Sequence, residues 1–214
     1  MQTATVNINN KSYRNKRLKH NSYIFAIVAA LAAFFELISI CGIIRNIITN
    51  DFRPSMLIIV ADSIITFCSI ILFFAMSIVF RRKKFYMFSL LALMFMQLNF
   101  FIANLILSYI NTPISIFLSL CVMANCFIEF SLGLNFLNIF HSKIVRNMGA
   151  ALLLNALVEL SIVFTQYIGF VNITETLMDA RKIISLMDKI TYLYFLIMGI
   201  FFFLHYSKGK YLLN

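Results

Sequence analysis

The sequence predicts an all-α, polytopic membrane protein: a bundle of six transmembrane helices with both termini in the cytoplasm. Three observations carry this. Six long apolar runs divide the chain, and a helix of about 20 apolar residues crosses the roughly 30 Å of bilayer hydrocarbon. The 214 residues are 62% hydrophobic and 12% charged, with a mean hydropathy of +0.91, outside the composition of soluble domains. Lys11, Arg14, Lys16, Arg17, Lys19, Arg81, Arg82, Lys83, Lys84, Lys143, Arg146, Lys208 and Lys210 fall in the N-terminal tail, the second and fourth loops and the C-terminal tail, with no Asp or Glu among them. In the other three loops Arg45, Arg53, Arg181, Lys182 and Lys189 are offset by Asp51, Glu175, Asp179 and Asp188. The positive-inside rule assigns the first set, and so both tails, to the cytoplasm.

Residues 1–20 are polar and rich in Asn and Lys, which predicts a disordered basic cytoplasmic tail. The first span covers about 23–44, with Asn21 and Ser22 as caps and Arg45 marking its outer end. It is too long for the apolar core of a secretory signal and lacks a small-x-small cleavage site, so it is read as a retained helix. The second span covers about 55–80 and stops at the cluster Arg81 to Lys84. The third covers about 85–110. Asn111, Thr112 and Pro113 then form a tight turn in which Thr112 caps and Pro113 takes the first helical position of the fourth span, 113–140.

A short basic loop, 141–147, leads to the fifth span, 148–171. Segment 172–188 mixes Leu177, Ile183, Ile184, Leu186 and Met187 with Glu175, Asp179, Arg181 and Lys182, the pattern of a helix lying in the interface. The sixth span, 189–206, is then the shortest, with Asp188 as its cap, and 208–214 form a short cytoplasmic tail. Two prolines and six glycines in the whole chain favour continuous helices over the broken helices of many secondary transporters. The two halves do not align well enough to make an inverted repeat.

This length leaves no room for a soluble catalytic domain. The net charge of +10 sits in short clusters flanking apolar spans, which selects anionic inner-leaflet lipid and not nucleic acid as the counter-charge. Cys41, Cys68, Cys121 and Cys126 lie inside apolar runs as small core residues; the last two are five apart and so on different helix faces. No P-loop, H-E-x-x-H or G-x-S-x-G motif occurs, so the chain is not expected to be an enzyme. His20, His141 and His205 fall at helix ends on the inner side, which suits neither a metal site nor transmembrane haem, and no cofactor is expected. Asn172-Ile173-Thr174 is a glycosylation sequon in an outer loop.

The functional lead is depth. Glu36, Glu129 and Glu159 all fall near the middle of their spans, with no Lys, Arg or His at that level. A charged carboxylate there costs about 2.5–3.5 kcal/mol on insertion scales, so these groups must face the bundle interior. Asn125 precedes Glu129 by four residues and Asn155 precedes Glu159 by four, which places amide and carboxyl on one face in each helix. Gln97, Asn99, Asn104, Asn135 and Asn138 add further amides. Carboxyls gathered without a basic partner suit a proton-linked or cation-binding site. Amides and neutral carboxyls also serve as interhelical glue at about 0.6 kcal/mol per hydrogen bond, so a structural role stands beside the functional one. For Asp62 the expected partners are Arg45 or Arg53.

Ala26, Ala29, Ala30, Ala32 and Ala33 make a small-residue surface on the first span, suited to close approach of a helix from the bundle or from a partner membrane subunit. Two expectations follow. One is a cell-membrane protein that binds or transports a small cationic or proton-coupled ligand through a midplane site of Glu36, Asn125, Glu129, Asn155 and Glu159. The other is a non-catalytic membrane helper, an immunity, assembly or signalling subunit working through helix-helix contacts at Ala26, Ala29, Ala30 and Ala33.

Overall fold

Away from water, an apolar chain must satisfy its own backbone N–H and C=O groups, and a continuous helix does so within one segment. A computed structural model describes residues 2–49, 56–107, 115–169 and 175–207, with side chains described for 21–49, 56–102, 120–164, 180 and 182–207. The described residues form α1 (Gln2–Thr49), α2 (Met56–Val79), α3 (Lys84–Leu107), α4 (Ser115–Ile139), α5 (Lys143–Gly169) and α6 (Glu175–Ser207), with no strand among them. Each contains a stretch long and apolar enough to cross a membrane, which makes the chain compatible with an integral membrane protein.

The helices run up and down in a ring. Each packs on its neighbours in sequence, and α6 returns onto α1 to close the circle. The end carrying Arg81 to Lys84, Lys143 and Arg146 is called the basic end below, and the other the far end. Large apolar side chains cover the outside of the ring, among them Ile27, Phe67, Phe88, Phe127, Phe164 and Ile190. An exposed apolar surface of this extent matches lipid contact.

Three boundaries differ from those the sequence predicts. α1 begins at Gln2, where a disordered tail over 1–20 is expected, and continues past Arg45 to Thr49. No Gly or Pro precedes Gly42, and extending an existing helix is far cheaper than nucleating one. α5 begins at Lys143 instead of 148: the Ser142 carbonyl accepts the Arg146 amide at 3.0 Å, and Val145 is fully buried. The largest difference is α6. Its 33 residues absorb the segment expected to lie in the interface, so the sixth helix is not the shortest and Asp188 is an interior helical residue, not a cap. Nothing between Asn172 and Met198 is Gly or Pro, so nothing ends the helix at 188. The turn at 111–113, Arg53, the sequon at 172–174 and the tail 208–214 lie outside the described residues, as do the side chains of His20 and Asn104.

The two ends of the ring are filled differently. Toward the basic end the interior is aromatic. Phe80 stacks on Phe136 (centroids 5.3 Å apart) and Phe202 (5.9 Å) and meets Phe140 edge-on (5.7 Å), with Tyr86 alongside. Phe73 and Phe195 continue the stack toward the middle at 5.7 Å, and Tyr192 extends it. Lys83 caps the cluster with its ammonium 4.3 Å from the Phe140 ring centre. Toward the far end the interior is polar.

α4 and α5 cross at two glycines. A Cβ on Gly133 would stand 2.8 Å from the Gly149 carbonyl oxygen, and one on Gly149 would stand 2.8 Å from that of Gly133, so only glycine permits this approach. Ala26, Ala29, Ala32 and Ala33 are buried within the bundle, Ala29 against Gly199 of α6, while Ala30 faces outward. The alanine surface is therefore mostly covered by the chain itself.

Candidate functional site

The glycine crossing brings two N-x-x-x-E faces together in antiparallel register, one helical turn and more toward the far end. Asn125 and Glu129 of α4 lie opposite Glu159 and Asn155 of α5. Asn125 Nδ2 donates to Glu129 Oε1 (3.2 Å) and Glu159 Oε2 (3.0 Å); Asn155 Nδ2 donates to Glu129 Oε2 (2.9 Å) and Glu159 Oε1 (3.1 Å). Each amide uses both hydrogens, one within its own helix and one across, and each of the four carboxyl oxygens accepts one amide bond. The Cys126 thiol also donates to Glu159 Oε2 at 3.4 Å. Asn125 and Glu129 are buried, at 0% and 1% exposure. The spacing predicts a shared face for amide and carboxyl within each helix; across α4 and α5 the four residues form a closed clasp.

A hydroxyl ties the clasp to α6. Thr191 Oγ1 donates to Asn155 Oδ1 at 3.1 Å, and the same hydroxyl lies 2.8 Å from the Asp188 carbonyl. One turn of α6 thereby presents Asp188, Lys189 and Tyr192 to the middle of the ring. Tyr192 donates to Ser69 of α2, whose own hydroxyl donates to the Ile65 carbonyl at 2.7 Å.

Between the clasp and α1 lies a cavity of about 300 Å³. α1 contributes Glu36; α2 contributes Asp62, Ile65, Thr66 and Ser69; α3 contributes Gln97 and Phe100. α5 contributes Asn155 and Glu159, and α6 contributes Asp188, Lys189 and Tyr192. These positions run from the helix midpoints toward the far end. The Asp62 side chain is 42% exposed and that of Glu36 0%, so the two lining carboxyls differ sharply in access. Four lining residues carry carboxyls and one carries an amine.

Two expectations are corrected here. Glu36 does have a cation at its level: Lys189 Nζ stands 3.8 Å from Glu36 Oε1, because the continuous α6 carries Lys189 into the bundle instead of starting there. Asp62 pairs with that same amine, at 2.8 Å from Oδ1, and accepts from Ser39 Oγ at 2.9 Å; Arg45 is not its partner. The five residues proposed from sequence divide accordingly. Glu36, Asn155 and Glu159 line the cavity, whereas Asn125 and Glu129 stand behind them in the clasp. Asp188, Lys189 and Tyr192 are residues that sequence reasoning missed.

Of the further amides Gln97 lines the cavity, whereas Asn99, Asn135 and Asn138 do not join it. Asn135 donates to the Ser131 carbonyl of its own helix at 2.8 Å, and Asn99 and Asn138 face outward. His141 is exposed, and His205 Nδ1 bonds the Phe201 carbonyl of its own helix at 2.9 Å. Among the described residues no group of three or more His, Cys, Asp and Glu side chains is arranged to hold a metal ion.

The lining thus combines four carboxyl-bearing residues and one amine with the aromatic residues Tyr192 and Phe100. No family model matches the chain, nor does any curated protein or solved structure.

Proposed function

We propose that this chain is an integral protein of the cell membrane, with both termini in the cytoplasm, that binds a small organic cation in the far-side cavity as the recognition step of its transport. One observation carries the proposal: four carboxyl-bearing residues and a single amine surround one cavity of about 300 Å³ inside an otherwise apolar bundle. Carboxyls are costly in such surroundings unless paired, and Lys189 is engaged with Asp62 and Glu36. An incoming cation supplies the charge that Lys189 does not.

The excess of Lys and Arg on one side supports the orientation, and it opens the cavity away from the cytoplasm. The aromatic packing between cavity and basic end supports a state closed toward the cytoplasm. No chemistry on the ligand is assigned: the carboxyls that touch the cavity are arranged to accept charge, and no activated nucleophile stands among them. A helper acting through the face of Ala26, Ala29, Ala30 and Ala33 has less support, because three of these are buried within the chain's own bundle and Ala30 alone of the four faces outward.

The test is calorimetric titration of the protein in lipid nanodiscs with small alkylammonium ions and with butyrate. Saturable binding of an ammonium ion and none of butyrate is expected, with at least about tenfold weaker affinity in the Glu36→Gln, Glu159→Gln double variant, corresponding to about 1.4 kcal/mol. Failure of every ammonium ion to saturate, or equal binding of butyrate, would end the proposal.

A further inference from the structure

Resting on the cation-site reading above, the pattern of satisfied and unsatisfied hydrogen bonds around the cavity narrows the ligand further. Glu36 is completely buried and lines the cavity, yet neither of its carboxyl oxygens has a hydrogen-bond partner among the described residues. Lys189 approaches Oε1 only to 3.8 Å and makes its short bond to Asp62 instead. Asp188 Oδ1, on the same cavity, is also buried without a partner.

The neighbouring hydroxyls cannot make up this deficit, since each already gives its single hydrogen elsewhere. Ser39 donates to Asp62, Thr66 to the Asp62 carbonyl (2.8 Å), Ser69 to the Ile65 carbonyl and Tyr192 to Ser69. A buried acceptor left without a donor costs about 1–3 kcal/mol. Three such oxygens therefore belong to residues that line a cavity whose surrounding hydroxyls are committed.

We infer that the ligand carries its positive charge on a group with N–H donors, a protonated primary or secondary amine or an amidinium, seated between Glu36 and Asp188 while Lys189 stays on Asp62. A quaternary ammonium satisfies the charge but leaves those oxygens unpaired. Sites built around hydrogen bonds reject analogues that lack the donor far more strongly than apolar pockets reject a change in size. The Tyr192 ring, at the end of the aromatic stack, and Phe100 accommodate the alkyl part.

Two isomeric ions of nearly equal size separate the possibilities: tert-butylammonium, with three N–H donors, and tetramethylammonium, with none. Both are titrated into the wild-type protein in nanodiscs at constant ionic strength. The expected result is at least about 30-fold tighter binding of tert-butylammonium, the order of magnitude for one or two restored acceptors. In Glu36→Gln the ratio is expected to fall below about threefold, mainly through loss of tert-butylammonium affinity. Equal affinities in the wild type, or tighter tetramethylammonium, would overturn this inference and leave the cation site standing. Binding of neither ion would overturn both.

Discussion

The basic half and the far half of this bundle are built from the same helices and solve opposite problems. In the basic half Phe73, Phe80, Phe136, Phe140, Phe202 and Phe203 are all buried and interlock ring against ring, and the buried Ser77 and Ser207 hydroxyls bond carbonyls of their own helices. In the far half the same helices turn Glu36, Asp62, Glu159, Asp188 and Lys189 toward one space. Helices surrounded by lipid gain little from burying apolar area against each other, so their association rests on close packing and interhelical hydrogen bonds. Here the two contributions are separated by depth: packing seals one half, and hydrogen bonds hold open the other. The α4–α5 contact contains both, with Gly133 on Gly149 at the boundary and the Asn125–Glu129–Asn155–Glu159 clasp immediately above.

If the division is real, the halves must respond differently to truncation. The largest effect is expected for Phe80→Ala, which empties the centre of the aromatic cluster. A loss of about 3 kcal/mol is the size usual for such cavities, seen as a lower unfolding temperature in detergent micelles, with ammonium affinity in the folded fraction unchanged. A smaller stability loss, about 2 kcal/mol, is expected for Asn155→Leu, which removes two donated bonds and the acceptor for Thr191. This variant should also weaken ammonium binding by about tenfold or more, because Glu159 and the α6 turn lose their anchor. Loss of affinity in Phe80→Ala, or its retention in Asn155→Leu, would show that the two halves are not independent.

The six apolar runs made the bundle legible before any coordinates, because span length and flanking charge are imposed by the bilayer itself. Depth and the i, i+4 spacing likewise identified Glu129 with Asn125 and Glu159 with Asn155. What the residues did not disclose was rotation and reach. Lys189 looks like the start of a span because the segment before it mixes Glu175, Asp179, Arg181, Lys182 and Asp188 with its apolar residues; only the absence of Gly and Pro from Asn172 to Met198 hints that the helix runs through it. Its pairing with Asp62 joins residues 127 apart in the chain, which no local spacing encodes. Whether Glu129 lines the cavity or stands behind it depends on how α4 is rotated in the ring, and the helix is too evenly apolar around its circumference to determine that from pattern alone.

The central claim is that a cation-selective cavity opens on the face opposite the termini while the basic half stays sealed. It is tested most directly by thiol labelling in a background with Cys41, Cys68, Cys121 and Cys126 changed to Ser. In sealed vesicles of known orientation, Thr66→Cys in the cavity and Met148→Cys in the basic half are each exposed from the far side to a cationic ethylammonium thiosulfonate and to its anionic ethylsulfonate counterpart. The account predicts that Thr66→Cys reacts with the cationic reagent about tenfold faster than with the anionic one, and that Met148→Cys, fully buried in the wild type, reacts with neither. Equal rates for the two reagents at Thr66→Cys, or labelling of Met148→Cys as fast as Thr66→Cys, would contradict it.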